Sequence, residues 1–164
     1  MAYDIGKVYG YGDGRLKDVE VSEGLADNFG SYCRIYRVDE LDNRKIYLDF
    51  ENAIIGRFEG FAAGAEIMLH VSSSAMQTEY LGKYLFAKIL LLQNGIATLD
   101  RDFTELMPVE ELSLYNVQAV LVLQFDCLKL NAGGVISPAI YNPYKHCGGI
   151  LEYVYKLNNP KKYG

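Results

Sequence analysis

The chain has 164 residues, of which half are hydrophobic and 23% are charged, and its formal net charge is -5. This length and composition favour one globular domain with its own core. The acidic balance, without a long run of Lys or Arg, argues against nucleic-acid recognition through the phosphate backbone. No apolar stretch reaches the roughly 20 residues that span a bilayer, and the N-terminus lacks the apolar run of a signal peptide. We therefore expect no specific nucleic-acid binding and no membrane contact.

Residues 1–31 are rich in glycine and tyrosine, and we predict that they form an arm that extends over a neighbouring molecule. A short strand at Leu16–Val21 interrupts the arm. The glycines do not form a phosphate-binding loop, because no strand precedes them and no Lys-Ser or Lys-Thr pair follows. The whole chain contains 14 tyrosines and no tryptophan. Tyrosine is favoured at protein interfaces, although a β-rich core with tyrosine at its rims would have the same composition.

Three strands are predicted in the middle of the chain from alternation of apolar and polar residues. They cover Tyr32–Val38, Lys45–Phe50 and Ala65–Val71. The first two form a hairpin with a loop longer than two residues. In the first strand, Cys33 and Ile35 share one face, and the opposite face carries Tyr32, Arg34 and Tyr36.

A long helix is predicted over residues 72–95. The apolar residues Leu81, Leu85, Ile89 and Leu92 recur at spacings of three and four, which is the helical period. A second stripe contains Tyr80, Tyr84, Ala87 and Leu91. The pair Asn94-Gly95 is interpreted as a left-handed C-terminal cap. Because the helix is apolar nearly all round, it is expected to be buried on two sides, either in the core of a monomer or against another subunit.

The remainder of the chain adds two strands. A long one is predicted at Asn116–Leu130 and a last one at Ile150–Leu157, separated by a loop that contains proline and paired glycines. The resulting fold class is α+β, a mainly antiparallel sheet with one principal helix packed on a face. We expect a single domain over 1–164, with the Gly/Tyr-rich N-terminal arm (1–31) and a C-terminal loop-strand (131–164).

Candidate reactive groups are few. The cysteines Cys33, Cys127 and Cys147 are odd in number and widely spaced, which fits free thiols in a reducing compartment. His146 and Cys147 are the one local pair with nucleophilic potential, but neighbours in a loop seldom have the required geometry. His70 has no partner nearby in sequence, and no metal-binding spacing is present. We expect no catalytic residue, no metal and no cofactor.

The segment Ala65–Leu130 carries an ordered series of elements. It contains a strand ending in small polar residues (AEIMLHVSSS), the long helical pattern (QTEYLGKYLFAKILLLQNG), a spacer (LMPVEEL) and a long strand (NVQAVLVLQFDCLKL). This series resembles the tail-terminator or tail-completion (neck or connector) proteins of tailed bacteriophages. The resemblance implies a small α+β protein that assembles as a ring, usually a hexamer, at the end of a tail tube or at the neck. The N-terminal arm and the C-terminal loop-strand are not part of this series, so another connector or tube protein is an alternative.

The leading hypothesis is therefore a structural virion protein, assembled in the host cytoplasm as a homo-oligomeric ring such as a hexamer. It would contact other tail or neck proteins of the virion. The predicted subunit interface consists of Tyr32, Arg34, Tyr36, Tyr80, Tyr84, Lys88 and Leu91. The alternative is a small phage- or bacterium-encoded inhibitor that binds a protein without catalysis. A third hypothesis, an enzyme that uses His146 and Cys147, is the least favoured.

Overall fold

A computed structural model describes the backbone of residues 18–21, 30–56, 60–125 and 127–155. The predicted N-terminal arm lies outside the described residues, apart from 18–21 and 30–31. The end of the predicted C-terminal loop-strand, beyond residue 155, also lies outside them. The described strands are β1 (Asp18–Val21), β2 (Tyr32–Val38), β3 (Lys45–Leu48), β4 (Glu66–Ser74), β5 (Tyr84–Gln93), β6 (Ile96–Leu99), β7 (Tyr115–Phe125), β8 (Cys127–Leu130) and β9 (Glu152–Tyr155).

Six of these strands close into an antiparallel barrel. They pair in the order β2-β3-β6-β5-β4-β7, and β7 pairs again with β2, so the ring of hydrogen bonds has no free end. β9 pairs in parallel with the end of β7, on the same side of β7 as β2. β1 and β8 pair in parallel and form a separate two-stranded sheet. Closure removes the edges of the main sheet, which would otherwise be open to pairing with other chains.

The barrel has a core inside and a second apolar layer outside. Branched and leucine side chains from all six strands fill the interior, among them Ile35, Ile46, Ile67, Leu85, Leu99 and Val117. On the outside, Tyr32, Met68, Val120 and Val122 form a smaller buried cluster with Cys147. Cys147 belongs to the stretch 131–155, which we call the C-terminal segment. The apolar residues of β7 are therefore buried on both faces of that strand, which explains why its sequence is almost continuously apolar.

The prediction of an α+β fold with a principal helix is wrong, and the protein is mostly β. The segment 72–95 contains the end of β4, a loop, the whole of β5 and a tight turn into β6. Leu85, Ala87 and Ile89 point into the barrel with a period of two. The described helices are 3-10 helices of three to six residues. A run in which apolar residues occur at almost every position matches both periods, so periodicity alone favoured the wrong element.

The pair Asn94-Gly95 is a hairpin turn rather than a helix cap. Both residues have positive φ, 52° for Asn94 and 76° for Gly95. Gln93 and Ile96 pair across the turn. Two central residues with positive φ define the type I′ turn, which joins antiparallel strands with the correct twist and prefers Asn-Gly. The same dipeptide serves both kinds of structure, because each requires a left-handed backbone.

Three β-bulges interrupt the barrel. The register shifts place one additional residue at Tyr36 in β2, at Ser72 in β4 and at Leu90 in β5. A bulge sets two residues of one strand against one residue of its neighbour, and so changes the direction of a side chain. At two of the bulges, consecutive large side chains are exposed, namely Tyr36 with Arg37 and Leu90 with Leu91. The bulge at Ser72 instead builds a polar network.

Candidate functional site

A polar network lies on the outer wall of the barrel at the β4 bulge. His70 of β4 and Gln118 of β7 are direct partners in the antiparallel register, so their side chains lie on the same face. The Ser72 hydroxyl lies between them, with its Oγ 2.8 Å from His70 Nδ1. Gln118 Nε2 donates a hydrogen bond to Ser72 Oγ at 2.7 Å. The bulge thus places three polar side chains in one connected row.

Gln118 ties this row to the C-terminal segment. Its side chain is fully buried, and its Nε2 donates to the Gly148 carbonyl oxygen at 3.0 Å. The Gly148 N–H donates back to Gln118 Oε1 at 2.8 Å. The amide therefore pairs with the Gly148 backbone as a strand would, and all of its strong donors and acceptors are used. Gly148 has φ of +106°, and a Cβ at this position would lie 2.7 Å from the Ile140 carbonyl oxygen, so only glycine fits.

The hydrogen-bond distances favour one tautomer of His70. The Gly148 N–H donates to Gln118 Oε1, which identifies that atom as the amide oxygen. Nε2 therefore carries the two N–H donors of the side chain, and one of them donates to Ser72. The Ser72 proton then has two acceptors, His70 Nδ1 at 2.8 Å and the His70 carbonyl oxygen at 3.4 Å. The shorter contact is the better hydrogen bond, so Nδ1 is assigned as the acceptor and Nε2 carries the ring proton. Burial lowers the pKa of His70, which favours this neutral ring.

A small cavity opens beside the His70 ring. Its volume is about 340 Å³, and it is lined by Met68, His70, Tyr84, Phe86 and Ile150. The rings of Tyr84 and Phe86 meet edge to face, with centroids 5.8 Å apart. The cavity thus combines apolar and aromatic walls with one imidazole. Among the described residues, no carboxylate is hydrogen-bonded to the ring, so this geometry supports binding better than nucleophilic catalysis.

The residues of the predicted interface do not share one surface. Tyr32 is fully buried in the outer cluster. Tyr80 lies in the connection between β4 and β5, where its ring packs edge to face on Tyr115. Tyr84 lies at the small cavity, and Lys88 is half-buried further along β5. The interface role of these residues remains a prediction.

The other three predicted interface residues lie on β2 and at the end of β5. Tyr36 is 53% exposed and Leu91 is 49% exposed. Arg34 lines an open groove of about 720 Å³ together with Tyr36, Asp49 and Glu51. The Arg34 Nε is buried and has no hydrogen-bond partner among the described residues. The groove carries two carboxylates beside this one guanidinium, so it has no clear preference for an anion.

A partly apolar surface runs along the outer sides of β2, β3, β6 and the end of β5, with Lys45 and Thr98 between its apolar residues in the register and the Arg37 guanidinium 4.9 Å from the Tyr47 ring centroid. We call it the tyrosine–leucine face, and it consists of Tyr36, Tyr47, Leu90, Leu91 and Ile96. The two tyrosine rings meet edge to face at 6.0 Å. Tyr47 pairs with Ile96 in the register, and Leu90 is 52% exposed beside Leu91. Sequence reasoning identified Tyr36 and Leu91 but missed the others, because the order of the strands was unknown.

Cys33 and Cys147 are sequestered. Cys33 points into the barrel and Cys147 into the outer cluster, and both are free and buried. Burial raises the pKa of both thiols, which disfavours the nucleophilic thiolate. The Cys147 Sγ contacts the Asn52 carbonyl oxygen at 4.0 Å. No hydrogen bond joins it to His146, so the sequence neighbours do not form an activated pair.

Sequence reasoning named His70 but missed the other residues that build the network. Ser72 lies in the segment that was predicted to be helical, and Gly148 in the predicted loop before the last strand. Gln118 left a detectable signal, since it alternates with Val120 and Val122 on one face of β7. A glutamine on a covered face needs partners for its amide. Its partners lie 46 and 30 residues away in the chain, so the signal did not identify them.

The described residues form neither a metal site nor a helix that could cross a membrane. Among the described residues, no group of three or more His, Cys, Asp or Glu is placed to hold a metal ion. Within the same ranges, no helix has the length and apolar character that crossing a membrane requires. No family model matches the chain, and comparison with curated proteins and with solved structures gives no significant match.

Proposed function

We propose that the chain is a non-catalytic structural subunit that assembles with copies of itself through the tyrosine–leucine face. The observation that carries this proposal is the exposure of Leu90 and Leu91 side by side on β5, with the exposed Tyr36 further round the same outer wall, beyond β6 and β3. Large apolar side chains that are exposed together are typical of an interaction site. Large aromatic and aliphatic side chains are also the residues that anchor protein interfaces.

A ring requires two different surfaces that fit each other, whereas a twofold dimer requires only one. The C-terminal segment presents a second exposed apolar set, Val135, Ile140 and Tyr144. We take this set as the counterpart of the tyrosine–leucine face. Contact between the two surfaces on successive subunits would be head to tail, and such contacts close into rings when the rotation allows it.

The setting that we propose is the virion of a tailed bacteriophage, at the tail or the neck, where the ring would contact other tail or neck proteins. The resemblance of residues 65–130 supports this setting through its sequence of segments. The segment that was expected to be helical contains β5 and the turn into β6. The resemblance is therefore supported by the order of the strands and not by a packed helix. The proposed assembly does not depend on the helix.

The proposal is tested by native mass spectrometry and negative-stain electron microscopy of the purified protein. We expect rings of the wild type. The double variant Leu90→Lys/Leu91→Lys should be a folded monomer, because charges on the face would be desolvated on contact. The matched control is Leu41→Lys, since Leu41 is 98% exposed in the β2–β3 turn and lies outside the face. A wild type that stays monomeric at high micromolar concentration would overturn the proposal.

A mixing experiment separates a ring from a twofold dimer. The second variant, Ile140→Lys/Tyr144→Lys, alters only the counterpart surface. If the contact is head to tail, each variant alone is monomeric, and their equimolar mixture forms one heterodimer through the two unaltered surfaces. If Ile140→Lys/Tyr144→Lys alone still assembles, the counterpart is wrong and the tyrosine–leucine face contacts itself.

A further inference from the structure

We propose that the cavity beside the Ser72 bulge is a binding site for a small uncharged aromatic carbonyl compound. The site goes beyond the assembly proposed above and does not depend on it. It is formed by Met68, His70, Tyr84, Phe86 and Ile150. The bulge, the buried glutamine and the Gly148 backbone together hold its imidazole, His70, in a defined orientation.

The size and the walls of the cavity select the apolar part of the ligand. A volume of about 340 Å³ is at the lower end for small-molecule sites and suits a single ring with a short substituent. Tyr84 and Phe86 already meet edge to face, and a third ring can continue that arrangement. The Met68 thioether is buried in the wall and favours contact with an aromatic ring.

The His70 ring selects the polar part of the ligand. Its Nδ1 is engaged by Ser72, so Nε2–H is the donor that remains, and it has no partner among the described residues. A donor of this kind pairs with an acceptor such as a carbonyl oxygen. A carboxylate is disfavoured, because none of the lining residues carries a positive charge while the imidazole is neutral, and the protein has a net charge of -5.

The cavity is separate from the assembly face. Tyr84 begins β5, and Leu90 and Leu91 lie six and seven residues further along the same strand. At about 3.3 Å per residue, the two sites are on the order of 20 Å apart. Ligand binding and assembly can therefore be measured in the same protein and can fail independently.

The probe is acetophenone, followed by NMR of protein labelled with ¹³C at the methionine methyl groups. The Met68 methyl should shift in a saturable way, with a Kd on the order of 0.1–1 mM, as expected for a ligand of this size. Two methionines are internal controls, because Met76 is 89% exposed in a loop and Met107 is buried in the core. Equal shifts at Met76, or no saturable shift at Met68, would overturn the site.

The role of the His70 donor is tested with a ligand of the same shape that lacks the oxygen. Ethylbenzene should bind wild-type protein about tenfold more weakly than acetophenone, since one hydrogen bond is lost. The variant His70→Leu should remove that difference, whereas His146→Asn should keep it. If wild-type protein binds both compounds equally, Nε2–H is not the recognition group. That comparison needs no variant, so a His70→Leu protein that fails to fold leaves the test intact.

Discussion

The double hydrogen bond between Gln118 and Gly148 is the contact whose removal tests the structure most sharply. Gln118→Met keeps the length and volume of the side chain but removes its donors and its acceptor. Gly148 is buried, and its N–H and carbonyl oxygen are both hydrogen-bonded to Gln118. In the variant, both backbone groups would lose their partners. Ser72 is only partly buried, so its hydroxyl can bond to water instead.

The magnitude follows from the two buried backbone groups. Each unsatisfied group costs about 1–3 kcal/mol, so the upper limit is about 6 kcal/mol. The C-terminal segment can also detach locally and let water reach Gly148, which limits the loss. We therefore expect a decrease of about 2–4 kcal/mol in the free energy of unfolding, or about 4–16 °C in Tm for a chain of this length.

The assay is denaturant unfolding of both proteins, combined with hydrogen exchange of the Gly148 and Gly149 amides. Their protection should fall in Gln118→Met even where the barrel remains folded. Gln93→Met is the matched control, because Gln93 is exposed at the end of β5, and it should stay within about 0.5 kcal/mol of wild type. If Gln118→Met also stays within that range and Gly148 keeps its protection, the network does not hold the segment.

Three further changes have defined outcomes. Gly95→Ala should lower the free energy of unfolding by about 1–2 kcal/mol in denaturant titrations, because φ is 76° there, and neutral stability would contradict the type I′ turn. Burial lowers the pKa of His70 in the folded state, so the unfolded chain binds the proton first and stability falls as pH drops through the unfolded value of about 6.5. His70→Gln should therefore lose less stability between pH 7 and 5 than wild type, as measured by denaturant titrations at the two pH values. Cys33 and Cys147 should resist iodoacetamide at pH 8 until the protein is unfolded, as read by mass spectrometry, because burial raises both pKa values.

Local alternation in the sequence determined several strands. The prediction of a strand at Tyr32–Val38 is confirmed with both ends, and so is its hairpin with the following strand. The predicted faces are also correct, since Cys33 and Ile35 belong to the core of the barrel. These predictions depend only on neighbouring residues, because a strand buried on one face must alternate. The exposure of Tyr36 follows from the same rule.

Tertiary structure alone decided the rest. The apolar residues of 72–95 fit both the helical period and the strand period. Only the pairing of residues 84–93 with β4 and β6 makes that part of the segment a strand. The bulges at Ser72 and Leu90 exist only relative to a partner strand, and sequence spacing does not show them. Gln118 meets Gly148 across 30 residues because the C-terminal segment folds back on the barrel wall. Contacts of that range depend on chain closure, which no local pattern encodes.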